Sequence, residues 1–251
     1  MSEDKWQKLR SLTSARIGLS KAGGSLTTKA MLAFRKDHAL ARDAVWAELD
    51  VESLSENLKS LGLNVQTLSS QANSRETYIK QPELGRSLSQ KSAWELGRVK
   101  KEKFDLSISI ADGLSALAIE RHAVNFLKEF LPLISQFSIA PISIIKQGRV
   151  AISDEIGERL KAKLSIILIG ERPGLTSPDS LGIYLTYQPK AGNTDEKRNC
   201  ISNIRNGGLS YEFAANKLAF LVTESMRRKL SGVDLKDTFD HKQIDNGRTE
   251  K

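Results

Sequence analysis

Apolar residues in this chain fall into two regimes. From Phe104 onward, short Ile-rich runs alternate with stretches of helical spacing. FDLSISIADG, PISIIKQGRV and LSIILIG read as strands, because β-branched residues dominate each run and a glycine closes it. Between the first two lies SALAIERHAVNFLKEFLPLI, where Leu117, Val124 and Leu127 form an apolar face and Glu120, Arg121 and Lys128 a charged one, the pattern of a surface helix. SDEIGERLKA is expected as a short helix with Ser153 at its N-cap. YEFAANKLAFLVTESMRRKLSGVDLKD is expected as a closing helix that ends at Ser231-Gly232. A β-α-β-α-β series with right-handed crossovers predicts an α/β fold for residues 104–237. Its architecture should be a Rossmann-like, mostly parallel sheet with helices on both faces.

The stretch from Leu164 to Tyr187 organises this region. LSIILIG is continuous in apolar residues and reads as a strand buried on both faces. A loop with two prolines, Glu171, Arg172 and Asp179 follows, and a second β-rich segment takes over from Ile183 to Tyr187. Ligands of open α/β sheets bind beyond the carboxyl ends of the strands. Three such ends should share one edge: Asp112-Gly113, Gly148-Arg149-Val150 and Gly170-Glu171. Charged loop residues ordinarily do no more than solvate a surface, and Glu171, Arg172 and Asp179 fit that description as well.

Before Phe104 the pattern is mainly helical. Trp6, Leu9 and Leu12 share one face of a short amphipathic helix. Gly23-Gly24 break the chain, Ser25 or Thr27 can cap, and a helix is expected over Ala30 to Leu49. Residues 1–50 thus form a small, mainly helical N-terminal lobe, read as an interface segment. Its Asp37-His38 pair has no second His or Cys at ligand spacing, so it reads as a surface ion pair or interface contact. Residues 51–103 read as a connector lobe, with LNVQTLSS and RETYIK as short strands and LSQKSAWELGRV as a helix packing Leu88 and Trp94. The polar tail, 238–251, is expected to be disordered.

Composition narrows the function classes. A net charge of +8 over 251 residues is spread along the chain and interleaved with thirty acidic residues. That balance suits an acidic or phosphate-bearing partner, but no dense Lys/Arg block marks a nucleic-acid footprint. The single Cys200 excludes an internal disulfide and fits the reducing cytoplasm. No apolar run is long enough to span a bilayer, and MSEDKWQKLR lacks the apolar core of a secretory signal.

Candidate chemistry is sparse. ADGLSAL lacks the G-x-G-x-x-G of a dinucleotide site, which counts against the alternative of a free-standing Rossmann-like nucleotide-binding module. No G-x-S-x-G elbow is present, and mid-helix His122 reads as a packed or surface residue. Cys200 is flanked by Arg198 and Arg205, whose charges favour a thiolate, although a lone cysteine is more often inert. No motif supplies a metal ligand or a catalytic residue.

Several blocks carry a family signature: SARIGLSKAGGSL, IADGLSALAIERHA, RVAISDEIGERLKAKLSIILIGERPGLTSPDSLGIYLTY, RNCISNIRNGGLSY and LSGVDLKD. They cover most of the chain from Ser14 to Asp237, and the sequence resembles the small (light) subunit of ethanolamine ammonia-lyase. The resemblance implies a subunit of an adenosylcobalamin-dependent lyase that converts ethanolamine to acetaldehyde and ammonia. It implies a hetero-oligomer in which the large subunit carries substrate and radical chemistry and the small one closes over the cobalamin at the interface. By motif, the cobalamin-contacting positions are Val150 in GRVAI, Glu171 in GERPG and Cys200 in NCISN. The chain lacks D-x-H-x-x-G, so the cofactor should keep its own lower base. Residues 52–92 match the family poorly, and the leader that longer members use for solubility and packaging in a bacterial microcompartment is abbreviated. The resemblance therefore places the protein in the cytoplasm or within such a compartment.

Overall fold

The computed structural model describes residues 6–13, 15–19, 21–98 and 103–239. Residues 1–5, 14, 20, 99–102 and the tail from 240 lie outside that description. The N-terminal part opens with helix α1 (Trp6–Ser11) and a hairpin of β1 (Lys21–Ala22) and β2 (Ser25–Leu26) that the sequence reading did not anticipate. Gly23 turns the hairpin at φ +62°, a conformation side-chain-bearing residues avoid. Helix α2 (Thr28–Trp46) follows, with the Thr27 hydroxyl accepting from the Ala30 amide.

The stretch read as a connector contributes to the main sheet. Helix α3 (Val51–Ser60) leads into β3 (Val65–Ser69), then α4 (Arg75–Lys80) and α5 (Gln90–Leu96). LNVQTLSS is therefore a strand, as expected, but RETYIK is a helix. Ser74 caps it by accepting from the Thr77 amide, and no strand offers the segment a ladder. Helix α5 buries Leu96, and Leu88 packs just before it, whereas Trp94 is 63% exposed and stacks on Arg98 instead.

Six strands form one sheet in the order β3-β5-β4-β6-β7-β8, with β4 at Leu106–Ala111, β5 at Ile142–Lys146, β6 at Leu164–Gly170, β7 at Leu181–Tyr187 and β8 at Arg198–Ile204. The first four in that order are mutually parallel, and β7 and β8 are antiparallel additions. The expected mixed α/β architecture with a mostly parallel sheet is what forms. NCISNI, whose pattern carries no clear strand alternation, lies within the edge strand β8.

The two faces of the sheet have different textures. Leu106, Ile108, Ile110, Ile144, Ile166 and Leu168 face the helices α6 (Ala116–Ala118), α7 (Val124–Phe130) and α9 (Tyr211–Arg228). A π-helical turn, Ile119–Ala123, joins α6 to α7. The opposite face alternates Ile145, Ile167 and Ile169 with buried Ser107, Ser109, Ser143 and Ser165, and meets α8 (Ile152–Arg159). Small serines let α8 approach closely: the Ser165 hydroxyl donates to the Ser153 carbonyl, and a Cβ on Gly157 would lie 3.1 Å from that of Ser165. Ser153 is not the N-cap; its hydroxyl bonds the Val150 carbonyl and Ala151 precedes the helix. Helix α9 ends at Arg228, three residues before the expected stop, because Lys229 adopts the left-handed conformation at φ +59°. Burying each Ile or Leu of this core stabilises the fold by roughly 1.5–3 kcal/mol. Among the described residues, no helix is long and apolar enough to cross a membrane.

The loop between β6 and β7 is strapped to the helical face. Asp179 meets Arg121 at 2.7 Å and His122 at 3.5 Å, and Nδ1 of His122 lies 2.7 Å from the Tyr211 hydroxyl. The Ser115 hydroxyl donates to the Pro178 carbonyl, adding a second tie. His122 is almost wholly buried, and burial lowers its pKa below 6.5 despite the opposing pull of Asp179. As pH falls, the unfolded chain therefore takes up this proton before the folded one does. The contribution of neutral His122 is complete above about pH 6.5 and is lost as pH falls from there towards the folded value. In urea titrations, stability should decline below that pH, and His122→Gln should flatten the decline.

Candidate functional site

The carboxyl ends of the parallel strands are built without room for side chains. Gly113, at φ +56°, and Gly170 close the ends of β4 and β6. A Cβ on Gly113 would lie 2.2 Å from the Gly170 carbonyl oxygen, and one on Gly170 would lie 2.0 Å from that of Ser115. The Leu114 amide donates to the Gly170 carbonyl at 2.9 Å. The chain leaves β4 towards β5 on one side and returns from β5 to β6 on the other, so these two ends flank the point where the winding direction reverses. Such a crevice is the usual ligand position in open α/β sheets.

A cavity of about 420 Å³ opens there. Gly113 and Leu114 reach it from the end of β4, Arg149 and Val150 from β5, and Ile169 to Arg172 from β6. The three strand ends expected to share an edge do meet. Tyr78, Tyr184 and Ser202 complete the lining.

Behind the cavity stands a buried charged hub. Asp112 accepts from the amides of Gln147 (3.0 Å) and Gly148 (3.2 Å) and sits 3.5 Å from Arg75. Arg75 also donates to the carbonyls of Gly113 (2.8 Å) and Val45 (2.6 Å) and to the side-chain oxygen of Gln147 (3.1 Å). Burial pushes the Asp112 carboxyl up, while Arg75 and the amides pull it down. Tyr78 lies between two guanidinium groups, Arg75 at 4.8 Å and Arg149 at 4.1 Å from its ring centroid, and its hydroxyl donates to the Gly148 carbonyl. Burial pushes the Tyr78 phenol up, which keeps it a neutral donor. Sequence reading missed Arg75 and Tyr78 because it placed them on a strand; their i, i+3 spacing on a helix was the available signal.

Glu171 is half-buried at the rim. Its carboxylate accepts from the hydroxyls of Ser180 and Ser202 and from the Asn203 amide at 3.2 Å. It is thus more than a solvated loop residue, because it ties the β6 end to β8. Val150 lies in the turn from β5 to α8 and shares the cavity with Glu171. Cys200 does not line it. It stands opposite Tyr184 across the β7–β8 ladder, joined by a hydrogen bond, and Tyr184 faces the cavity.

The flanking arginines do not activate that thiol. Arg198 turns inward to Asp154, Asp195 and the Asn193 carbonyl, and Arg205 bonds Asn203 and Asn206. Cys200 is exposed on the edge strand; partial desolvation of its sulfur pushes the thiol up, against the pull of Tyr184, the opposite of the shift expected from neighbouring cations.

The family model described as ethanolamine ammonia-lyase light chain matches residues 3–236, and so also spans the 52–92 stretch that resembled the family poorly. The chain is 51% identical over 250 residues to the ethanolamine ammonia-lyase small subunit of Azotobacter vinelandii, covering 97% of this chain and 92% of that one. It is 48% identical over 252 residues to the protein of the same name from Pseudomonas putida, covering 98% and 93%. With the small subunit of Xanthomonas campestris it shares 51% over 242 residues, covering 94% and 89%. A match over nearly the whole length, with relatives about half identical end to end, means that the chain belongs to the ethanolamine ammonia-lyase light chain family.

Proposed function

We propose that this chain, as the small subunit of an ethanolamine ammonia-lyase, forms one wall of the adenosylcobalamin site where it meets the large subunit. The observation that carries the reading is the cavity at the reversal point of the sheet, where Val150 and Glu171 converge. Its lining suits part of a corrinoid. Leu114, Val150 and Ile169 offer apolar contact to a broad macrocycle, and Glu171, Ser202 and Arg149 offer hydrogen-bonding groups to its amide side chains. A backbone floor that no Cβ could share lets a flat ligand come close. A corrinoid with its nucleotide tail exceeds the drug-sized ligands that a cavity of 300–1,000 Å³ encloses. A second surface must therefore complete the enclosure, as expected of one subunit of a pair.

Adenosylcobalamin, held on this side by Val150, Glu171 and their neighbours, would supply the radical chemistry for activating the substrate. Glu171 holds the β6 and β8 ends together and orients the polar rim. Val150 and Leu114 exclude water from the covered face, and Tyr184 with Cys200 borders it. The doubly wound order of β5, β4 and β6 supports the Rossmann-like reading of residues 104–237. Helix α2 buries only Ala44 and leaves Met31, Leu32, Phe34, Leu40 and Trp46 exposed. That supports residues 1–50 as a surface for the large subunit.

The chain alone should show no ammonia-lyase turnover with cofactor and ethanolamine added, and activity should appear on reconstitution with the large subunit; turnover by the isolated chain would refute the assignment. Glu171→Ala should leave assembly intact and weaken cofactor affinity, since losing a charged hydrogen bond costs about 1.5–3 kcal/mol, or about one to two decades. An unchanged dissociation constant in the reconstituted enzyme removes Glu171 from the site. Cys200→Ala should retain turnover with a modest loss, whereas Cys200→Trp should weaken cofactor binding by crowding Tyr184, its cross-strand neighbour, into the cavity. A Cys200→Ala enzyme that binds cofactor normally but is inactive would make the sulfur a chemical participant.

A further inference from the structure

A second cavity, of about 500 Å³, adjoins the first beyond the turn from β5 to α8. Arg149 and Val150 line both, so the two form one cleft with a joint at the end of β5. The first lobe is floored by strand-end backbone and apolar side chains; the second holds Arg86, Arg198, Glu155, Asp195 and the turn around Gly192.

Its charges sort into satisfied and unsatisfied groups. Arg198 is neutralised by Asp154 and Asp195. Glu155 pairs with Arg159 and accepts from the Leu88 amide at 2.8 Å. Arg86 and Arg149 have no carboxylate partner among the described residues, which leaves two uncompensated positive charges in one concavity.

Arg149 is also held rigid. Its guanidinium carbon lies 4.1 Å from the Tyr78 ring centroid, and Nη2 donates to the Tyr78 carbonyl at 3.0 Å. Its own amide donates to the Gly85 carbonyl at 2.7 Å, and Gly85 is needed there because a Cβ would stand 2.7 Å from Cγ of Arg149. Nε is buried without a partner, so this side chain gives up solvation to hold its place. A planar cation fixed in advance loses little entropy on meeting an anion and suits the oxygens of a phosphate.

We infer that the second lobe is a phosphodiester subsite, in which Arg86 and Arg149 receive the phosphate of the nucleotide tail of the corrinoid cofactor. The inference rests on the cofactor reading above and deepens it. The tail carries one phosphodiester charge at a short tether from the ring, and the shared Arg149–Val150 joint sets the two lobes side by side. The apolar lobe then takes the macrocycle and the cationic lobe its tail.

The test compares corrinoids with and without the tail on the assembled two-subunit enzyme, by equilibrium binding read from cofactor absorbance. Adenosylcobalamin, adenosylcobinamide, which lacks the nucleotide tail, and inorganic phosphate as competitor are the three probes. Arg86→Gln and Arg149→Gln should each weaken adenosylcobalamin by about tenfold or more, the scale of a lost charge-assisted hydrogen bond. Adenosylcobinamide affinity should stay unchanged in Arg86→Gln; Arg149→Gln should weaken it less than it weakens adenosylcobalamin, because Arg149 also borders the macrocycle lobe, and Arg149→Lys should fall between wild type and Arg149→Gln. The cobalamin-over-cobinamide preference should also shrink with added salt. If Arg149→Gln fails to assemble, exposed Arg86 carries the comparison alone. Equal weakening of both corrinoids, or of neither, overturns the subsite while leaving the cofactor wall standing. Phosphate that binds the second lobe without competing with cobalamin overturns it in favour of a free-anion site. Failure of the wild-type enzyme to bind either corrinoid overturns the cofactor reading and the subsite together.

Discussion

The site depends on one buried guanidinium. Arg75 reaches Asp112 and Gly113 at the end of β4, Gln147 at the end of β5, and Val45 in the last turn of α2. Arg75 thus joins α2, α4 and both strand ends through a single group. A charge this deep needs a partner; Nε and Nη1 of Arg75 find acceptors while Nη2 is buried without one, and removing one member of such a pair costs about 3–5 kcal/mol. Asp112 answers it while also accepting the first two amides beyond β5, so the pair fixes where the β5 turn begins. The position of Arg149 and Val150 follows from that.

Backbone packing, rather than catalytic side chains, shapes the crevice. Gly113 and Gly170 bring two strand ends within hydrogen-bonding distance, and the serine-lined face draws α8 in close behind the turn that carries Val150. The result is a shallow, firm floor with a polar rim. Such a surface can cover a large flat ligand but cannot surround it, as the role proposed above requires. The apolar residues left exposed on α2 express the same incompleteness at the other end of the chain, because a helix that buries one residue gains little from its own fold.

The strap of Arg121, His122, Asp179 and Tyr211 has a related role. It pins the loop that begins with Glu171 to the helical face, and the π-turn in that helix brings His122 inward rather than along the helix surface. Glu171 then starts from a fixed loop and can spend its oxygens on Ser180, Ser202 and Asn203.

The sequence by itself determined the parallel core of the sheet, the convergence of three strand ends and the family. Ile-rich runs closed by glycine admit few other folds, and blocks such as GERPGLTSPDSLG are too long to recur by chance. Through its family motifs it also pointed to Val150, Glu171 and Cys200, of which the first two line the cavity. Only the tertiary structure decided the rest. RETYIK has strand-like composition, yet it becomes a helix because its neighbours offer it a cap and a buried seat for Tyr78, and no ladder. NCISNI becomes an edge strand because β7 presents one to pair with, and that pairing, not the flanking arginines, sets the environment of Cys200. Arg198 and Arg149 look alike in sequence, but one is neutralised by buried Asp154 and exposed Asp195, and the other is stacked on a tyrosine with no carboxylate partner among the described residues. Local pattern records which face of an element is apolar; which charges meet is settled by residues far apart in the chain, and no local spacing encodes that.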